Sequence, residues 1–398
     1  MTVYLDHAAT TPMRPEARAE WERASHVPGN PASIHGGGQA ARRMLEDSRE
    51  RLATVLDCDP VEVIFTSGGT ESINLAITGL WRSRRSEQLT SIVMPAAEHH
   101  ATMDTVQWLE RTEGARVRSV AVDGDARLDE LAWSEALEAG DAALGTLLAA
   151  NNEVGTLQPV IEAARIAARA GVPVHVDAVG AFGHLPLSFR HLRRESDSRD
   201  AGLVAMSVAA HKLAGPVGIG ALVVAREAKI EPLLHGGGHQ RGLRPGTQDV
   251  AGAAAFAVAA ELAVAEIHAE SERLAGLRKR LESGLRTRVP QIIVSAGEAD
   301  RLPGHTHLVF PGAQGDSLLL LLDMEGIAVS TGSACQAGVP EPSHVVRAMG
   351  RSEDEARSAL RITLGRTSTV QDIERLVDAL PTAYERARRA GLSSRDVR

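Results

Sequence analysis

The sequence predicts an α/β fold built on a mostly parallel sheet, followed by a smaller α+β domain. Three observations carry that expectation. Short apolar runs alternate with helix-period patterns through the first two-thirds of the chain. Several of those runs end on a lone polar residue, as strands do where a sheet rim meets a ligand. A long alanine-rich stretch then changes the texture. At 398 residues the chain has length for roughly two to three domain-sized units and for a core that needs no disulfide. The expected division is residues 15–260 for the large domain, with residues 1–14 and 261–398 forming the small one.

In order, residues 36–57 place Met44, Leu45, Leu52 and Val55 at helical spacing. Residues 61–66 read as a strand, and 71–81 as a helix after a glycine turn. A strand at 91–95, a helix at 102–111, a strand at 144–149 and a helix at 159–170 follow. Strands at 172–176 and 203–208 come next, then a return strand at 218–224. Residues 250–285 read as one long helix. Beyond it lie short strands at 292–294, 306–310, 328–330 and 360–364, helices at 316–323 and 370–390, and a polar tail.

Composition excludes several classes of function. The balance of 43 basic against 51 acidic residues, net −8, argues against direct nucleic-acid binding. With 2 Tyr, 5 Phe and 4 Trp the chain has too few rings for a base-stacking platform. Cys58 and Cys335 lie far apart with no CxxC pair, which suits a reducing cytoplasm and no thiolate metal site. The start of the chain lacks the pattern of a signal peptide. The apolar run 318–322 is far too short to span a bilayer, so no membrane association is expected.

Polar residues at the strand ends carry the chemistry. Thr66-Ser67-Gly68-Gly69-Thr70-Glu71-Ser72 opens a helix with two glycines and adjacent hydroxyls. It suits an anion equally with a plain turn and N-cap, and it is not a nucleotide P-loop. In Glu98-His99-His100, adjacent histidines point apart and chelate poorly; one of them stacking on a flat ligand competes with a simple loop histidine. Asn151-Asn152-Glu153 offers an amide or merely a turn. Asp177, directly after a buried run, needs a cation or N–H partner. Lys212, after His211 and among small apolar neighbours, has its charged form disfavoured, as a Schiff-base lysine requires; a snorkelling lysine is the alternative. Together these make an anion cradle, a stacking ring, an amide, a buried carboxylate and a buried amine on one rim. Pyridoxal phosphate demands that set.

The same residues resemble the cysteine desulfurases, the NifS/IscS branch of the fold type I pyridoxal-phosphate transferases. The resemblance runs from Tyr4-Leu5-Asp6-His7-Ala8-Ala9 and Gly29-Asn30-Pro31 through the motifs above. It continues in Gly236-Gly237-Gly238-His239-Gln240-Arg241-Gly242, Arg244-Pro245-Gly246-Thr247, Ser330-Thr331-Gly332-Ser333-Ala334-Cys335 and Arg361-Ile362-Thr363-Leu364. It implies that Lys212 carries the cofactor, Asp177 faces the ring nitrogen and His99 stacks on the ring. It further implies that Asn152 meets O3′ and substrate, and that Gly69, Thr70 and His211 hold the phosphate. Thr247 would reach the phosphate from a second subunit, making a homodimer. Arg361 would take the carboxylate of L-cysteine, and Cys335 would accept its sulfur.

Cys335 also stands out on its own, since its small neighbours cannot bury it and an exposed loop thiol is reactive. Cys58, beside Asp57 and Asp59, reads as inert. Two positions depart from the resemblance: Gly180 stands where a glutamine usually donates to O3′, and Ala209 where a serine often binds phosphate. Ser207, on the same strand face, reads as too far back to substitute. The expected reaction converts L-cysteine to L-alanine and a Cys335 persulfide. A protein acceptor then takes the sulfur, for iron–sulfur assembly, tRNA thiolation, cofactor synthesis or DNA modification. Selenocysteine lyase, sulfinate desulfinase, aminotransferase or cofactor-poor scaffold roles are the alternatives.

Overall fold

The computed structural model describes residues 2–197, 199–332 and 341–395. In chain order the first eight strands are β1 (Val3–Tyr4), β2 (Val63–Thr66), β3 (Ser91–Pro95), β4 (Arg116–Val120), β5 (Ala142–Leu148), β6 (Pro173–Asp177), β7 (Gly202–Ala209) and β8 (Gly220–Val224). The last four are β9 (Ile293–Val294), β10 (His305–Val309), β11 (Ile327–Ala328) and β12 (Ala359–Thr363).

Seven strands form the large sheet in the order β2-β8-β7-β6-β5-β3-β4. Strand β8 runs antiparallel to β2 and β7, as a return strand, and the other pairs are parallel. Strands β5, β6 and β7 are buried along their whole length, which is why they read as continuous apolar runs. Strand β4 lies at the edge, largely uncovered, and its Arg116 and Arg118 masked it in the sequence. Helices Gly36–Leu56, Gly69–Arg84, His100–Glu113 and Val160–Arg169 stand close to their expected positions. Helices Pro15–Ser25, Glu130–Glu138 and Phe189–Glu195 were not anticipated. Pro15 at the first turn of one, and the Asp129 carboxylate accepting from Leu131 and Ala132 N–H in another, are their local start signals.

Helix Val250–Arg288 is 39 residues long and begins where Asp249 accepts from Gly252 N–H at 2.8 Å. Its first half packs on helices Pro15–Ser25 and Gly36–Leu56 and joins the large-sheet core through Ala253, Phe256 and Ala260. Its second half, through Leu274, Leu277, Leu281 and Leu285, enters a second core with Val3, Leu5, Phe310 and Leu376. The division expected at residue 260 therefore falls inside one unbroken helix. By length and composition this helix could cross a membrane, with a mean hydropathy of 1.8 over its most apolar stretch. The expectation concerned only the run 318–322, and this second apolar stretch was not weighed there. More than half of the stretch is buried inside the fold, as in a core helix.

In the smaller unit β10 pairs antiparallel with β9 and β12, and β1 pairs parallel with β11. The N-terminal segment then crosses from one unit to the other. Asp6 bridges to Thr363, and Thr11 N–H donates to the His211 carbonyl at 3.0 Å. The ends of β5, β6 and β7, the N-terminal segment and β12 thus surround one cavity.

Candidate active site

Strand β6 delivers Asp177 to this cavity, of about 340 Å³. The carboxylate is buried and accepts from Val179 N–H at 2.9 Å. Burial pushes its pKa up to about 6, against the opposing pull of that N–H and of Lys212. Lys212 stands on the 3-10 turn Ala210–Leu213 that follows β7. Its Nζ donates to the carbonyls of Ala8 and, at 3.0 Å, Ala9. Burial lowers its pKa to about 8, with Arg361 adding repulsion. The other lysines of the chain, Lys229 and Lys279, are exposed and lie outside the cavity wall.

His99 caps helix His100–Glu113, its Nδ1 accepting from Ala101 N–H at 3.0 Å. That bond leaves the ring hydrogen on Nε2. Burial, then Lys212, holds its pKa down to about 4, so the ring is neutral. Glu98, behind it, is fully buried and accepts from Leu148 N–H at 2.9 Å; burial raises its pKa well above the carboxylate range. Asn152 follows β5. Its carbonyl accepts from Arg361 Nη1 at 2.9 Å, and its buried Oδ1 has no partner among the described residues.

Helix Gly69–Arg84 begins without a side-chain cap, so Gly69 and Thr70 present its first N–H groups at the cavity wall. A Cβ on Gly69 would lie 2.7 Å from a Val179 methyl, so only glycine permits this approach. His211 faces Thr10 Oγ1 at 3.3 Å, its pKa lowered to about 4 by burial and then by Lys212. Arg361 projects from β12 and is paired with Asp6 at 2.8 Å; its buried Nε has no partner among the described residues.

Eight of the residues expected from sequence therefore line one cavity: Gly69, Thr70, His99, Asn152, Asp177, His211, Lys212 and Arg361. Thr247 is exposed and does not line the cavity of its own chain. Cys335 lies outside the described residues. Cys58 is buried, and burial followed by Glu62 and Asp59 pushes its thiol pKa far up. Both features disfavour its thiolate. Gly180 lines the cavity, where a Cβ would meet only the Ala150 carbonyl at 3.7 Å. Ala209 is buried and is not part of the cavity wall. Ser207 is engaged elsewhere, its Oγ 2.8 Å from His175 Nε2.

The sequence reading missed His7, His184 and His305, which also line the cavity. His7 stood inside the motif at residues 4–9 but was given no role there, and His184 and His305 stand in no motif. His184 Nε2 donates to the Lys212 carbonyl at 3.2 Å.

The residues fit pyridoxal phosphate on the structure's own terms. An uncapped helix start suits its phosphate, a buried carboxylate its ring nitrogen, and a desolvated amine its aldehyde. The unpartnered Asn152 Oδ1 and Arg361 Nε are polar atoms that a polar ligand would satisfy.

Comparison with known proteins agrees. The family model "Aminotransferase class-V" matches residues 3–376. An IscS-like cysteine desulfurase of Mycobacterium tuberculosis is 45% identical over 395 residues, 98% of each chain. A cysteine desulfurase of Cereibacter sphaeroides is 40% identical, over 97% of this chain and 96% of its own. Among solved structures, a NifS-like protein superposes with a TM-score of 0.88 at 33% identity, covering 97% of this chain and all of that one. SspA, solved in complex with cysteine, gives a TM-score of 0.78 at 29% identity, over 91% and 99% of the two chains. The chain belongs to the aminotransferase class-V family, among its IscS/NifS-like cysteine desulfurases.

Proposed function

We propose that the protein is a pyridoxal-phosphate-dependent cysteine desulfurase that moves sulfur from L-cysteine onto Cys335. The observation that carries this reading is that one partly buried lysine, Lys212, lines the same cavity as the buried carboxylate of Asp177 and as Arg361. Bound there, the cofactor supplies an electrophilic carbonyl for amine capture and an electron-withdrawing ring.

The chain's own residues do the rest. Gly69, Thr70 and His211 would hold the phosphate, and His99 would stack on the ring. Asp177, with its pKa near 6, is ionised at neutral pH and balances a protonated ring nitrogen. Asn152 Oδ1 orients the bound group. Arg361 takes the substrate carboxylate with its planar donor set. Lys212, with a pKa near 8, is neutral often enough to serve as the amine that would hold the cofactor and as the base that would carry the Cα proton. The Cys335 thiolate attacks the substrate sulfur; an S–S bond forms as the Cβ–S bond breaks. The carbon skeleton takes up protons at Cα and Cβ and leaves as alanine, so the sulfur is oxidised to the sulfane level as Cβ is reduced.

We read Thr247, exposed on its own chain, as serving the cavity of a second copy in a homodimer. A protein acceptor then removes the sulfur. Both the thiolate and its persulfide call for a reducing compartment, which we take to be the cytoplasm.

The test is borohydride reduction of the reconstituted protein followed by peptide mapping. The pyridoxyl group is expected on Lys212; finding it on Lys229 or Lys279 would refute the assignment.

A further inference from the structure

The backbone pairing of β3 with β5 starts at Ser91–Ala142 and ends at Val93–Gly145, short of the cavity. The buried end of β5 still needs an acceptor on that side, where Leu148 N–H points away from β6. The Glu98 side chain supplies it: Oε1 accepts from Leu148 N–H at 2.9 Å. A second tie runs the same way, Asn151 Nδ2 donating to the Ala97 carbonyl at 2.9 Å. Two bonds thus hold the turn at residues 96–99, which ends on His99, against the end of β5. That end is in register with the site. Leu148 pairs with Asp177 across β5 and β6, and Ala149 N–H donates to the Asp177 carbonyl at 2.8 Å.

Glu98 is 1% exposed, and no cation pairs with its carboxyl among the described residues. Its Oε2 and the nearby Thr102 Oγ1 are both buried, and neither has a well-formed hydrogen bond among the described residues. An ionised carboxylate held in this way would be costly, and it would set a second negative charge beside Asp177. Burial outweighs the pull of Leu148 N–H, and Asp177 adds repulsion, so the Glu98 carboxyl stays protonated. The other titratable groups around it are His99 and His100, next in the chain, and His344, whose Nε2 donates to the Glu98 carbonyl at 2.8 Å.

We propose that Glu98 is a positioning residue that acts as an uncharged acid, pinning the turn of His99 to the end of β5 beside Asp177. The inference rests on the pyridoxal-phosphate reading of the cavity. A ring-on-ring contact depends on separation and tilt, so His99 is only as useful as its turn is well held. A neutral carboxyl gives Leu148 N–H the acceptor that β3 no longer provides. It does so without competing with Asp177 for the charge that faces the ring nitrogen.

The experiment compares wild type with Glu98→Gln, Glu98→Ala, His99→Ala and the double alanine variant, each reconstituted with pyridoxal phosphate. Two quantities are read: the rate of cofactor release and the pH midpoint of the bound cofactor's absorbance change. Urea midpoints of the cofactor-free chains report folding separately. Glu98→Gln keeps an acceptor for Leu148 and carries no charge, so both quantities should match wild type. Glu98→Ala should release cofactor about twofold to tenfold faster, the worth of one ring contact. The double variant should release it no faster than His99→Ala, since both changes act through one ring. Glu98→Gln decides the charge state even if the alanine change prevents folding. A lowered pH midpoint in Glu98→Gln would mean that a negative charge had been lost, and would overturn the proposal. Wild-type release from Glu98→Ala, or additive losses in the double variant, would overturn it too. A wild-type chain that takes up no cofactor would instead refute the cofactor reading beneath it.

Discussion

Asp6 Oδ1 lies 2.8 Å from Arg361 Nη2, so the guanidinium assigned to the substrate already holds a carboxylate. Its Nη1 is occupied by the Asn152 carbonyl, which leaves the Nε edge for a ligand. Asp6 therefore acts as a holder that aims Arg361. Replacing Asp6 by alanine is expected to raise KM for L-cysteine by about tenfold, the cost of one lost charged hydrogen bond, with a smaller effect on kcat. Arg361→Lys should raise it further, because an ammonium cannot keep both contacts and still offer an edge. A lower KM in the Asp6 variant would show that Asp6 competes with substrate.

Gly180 leaves open space at the cavity wall, where a side chain would first meet the Ala150 carbonyl. Gly180→Gln is expected to slow cofactor release by about tenfold by adding a donor, read from the dissociation rate of the bound group. Ala209→Ser should have the weaker effect, since Ala209 is not on the wall. Equal effects, or none, would show that position 180 does not face the cofactor.

The buried histidines set an acid limit on the cofactor-free chain. Burial lowers His175 and His307 to about 3, and His7, His99 and His211 to about 4. A group whose folded pKa is lowered gives its full stabilisation above the unfolded value, near 6.5, and loses it as pH falls toward the folded one. Asp177 acts the other way: raised to about 6, it favours the fold at low pH and loses that as pH rises from about 4 to about 6. Glu98, raised by burial well above its usual value, acts in the same sense as Asp177, and the five histidines outweigh these two acids. The urea midpoint should therefore fall between about pH 7 and about pH 5, each histidine adding up to about 1.4 kcal/mol per pH unit. His175→Asn should flatten the slope. A midpoint that rises on acidification would contradict this.

Much of the site was legible because its residues end strands or start helices. Asp177 closes β6, Lys212 follows β7 and Gly69 opens a helix, so local punctuation pointed to each. Partners from far along the chain were not legible. Asp6 with Arg361 and Glu153 with Ser343 are separated by 355 and 190 residues, and nothing local announces either pair. Ser207 was correctly set aside; its partner His175, which also faces Thr146 Oγ1 at 3.0 Å, was unforeseen. The same limit explains the fold. Doubly buried strands announce themselves by apolar runs, whereas edge strand β4 carries arginines and stayed hidden. The long helix was visible, but its passage between two cores depends on packing that only the folded chain reveals.

The most direct measurement is a single-turnover reaction of the reconstituted protein with L-cysteine, with alanine quantified and sulfane sulfur mapped on the chain. Alanine and a Cys335 persulfide should appear in equal amounts and at the same rate, with Cys58 unmodified. No alanine, pyruvate in its place, or sulfur carried anywhere but Cys335 would contradict the assignment of Lys212 and Cys335 to one desulfuration.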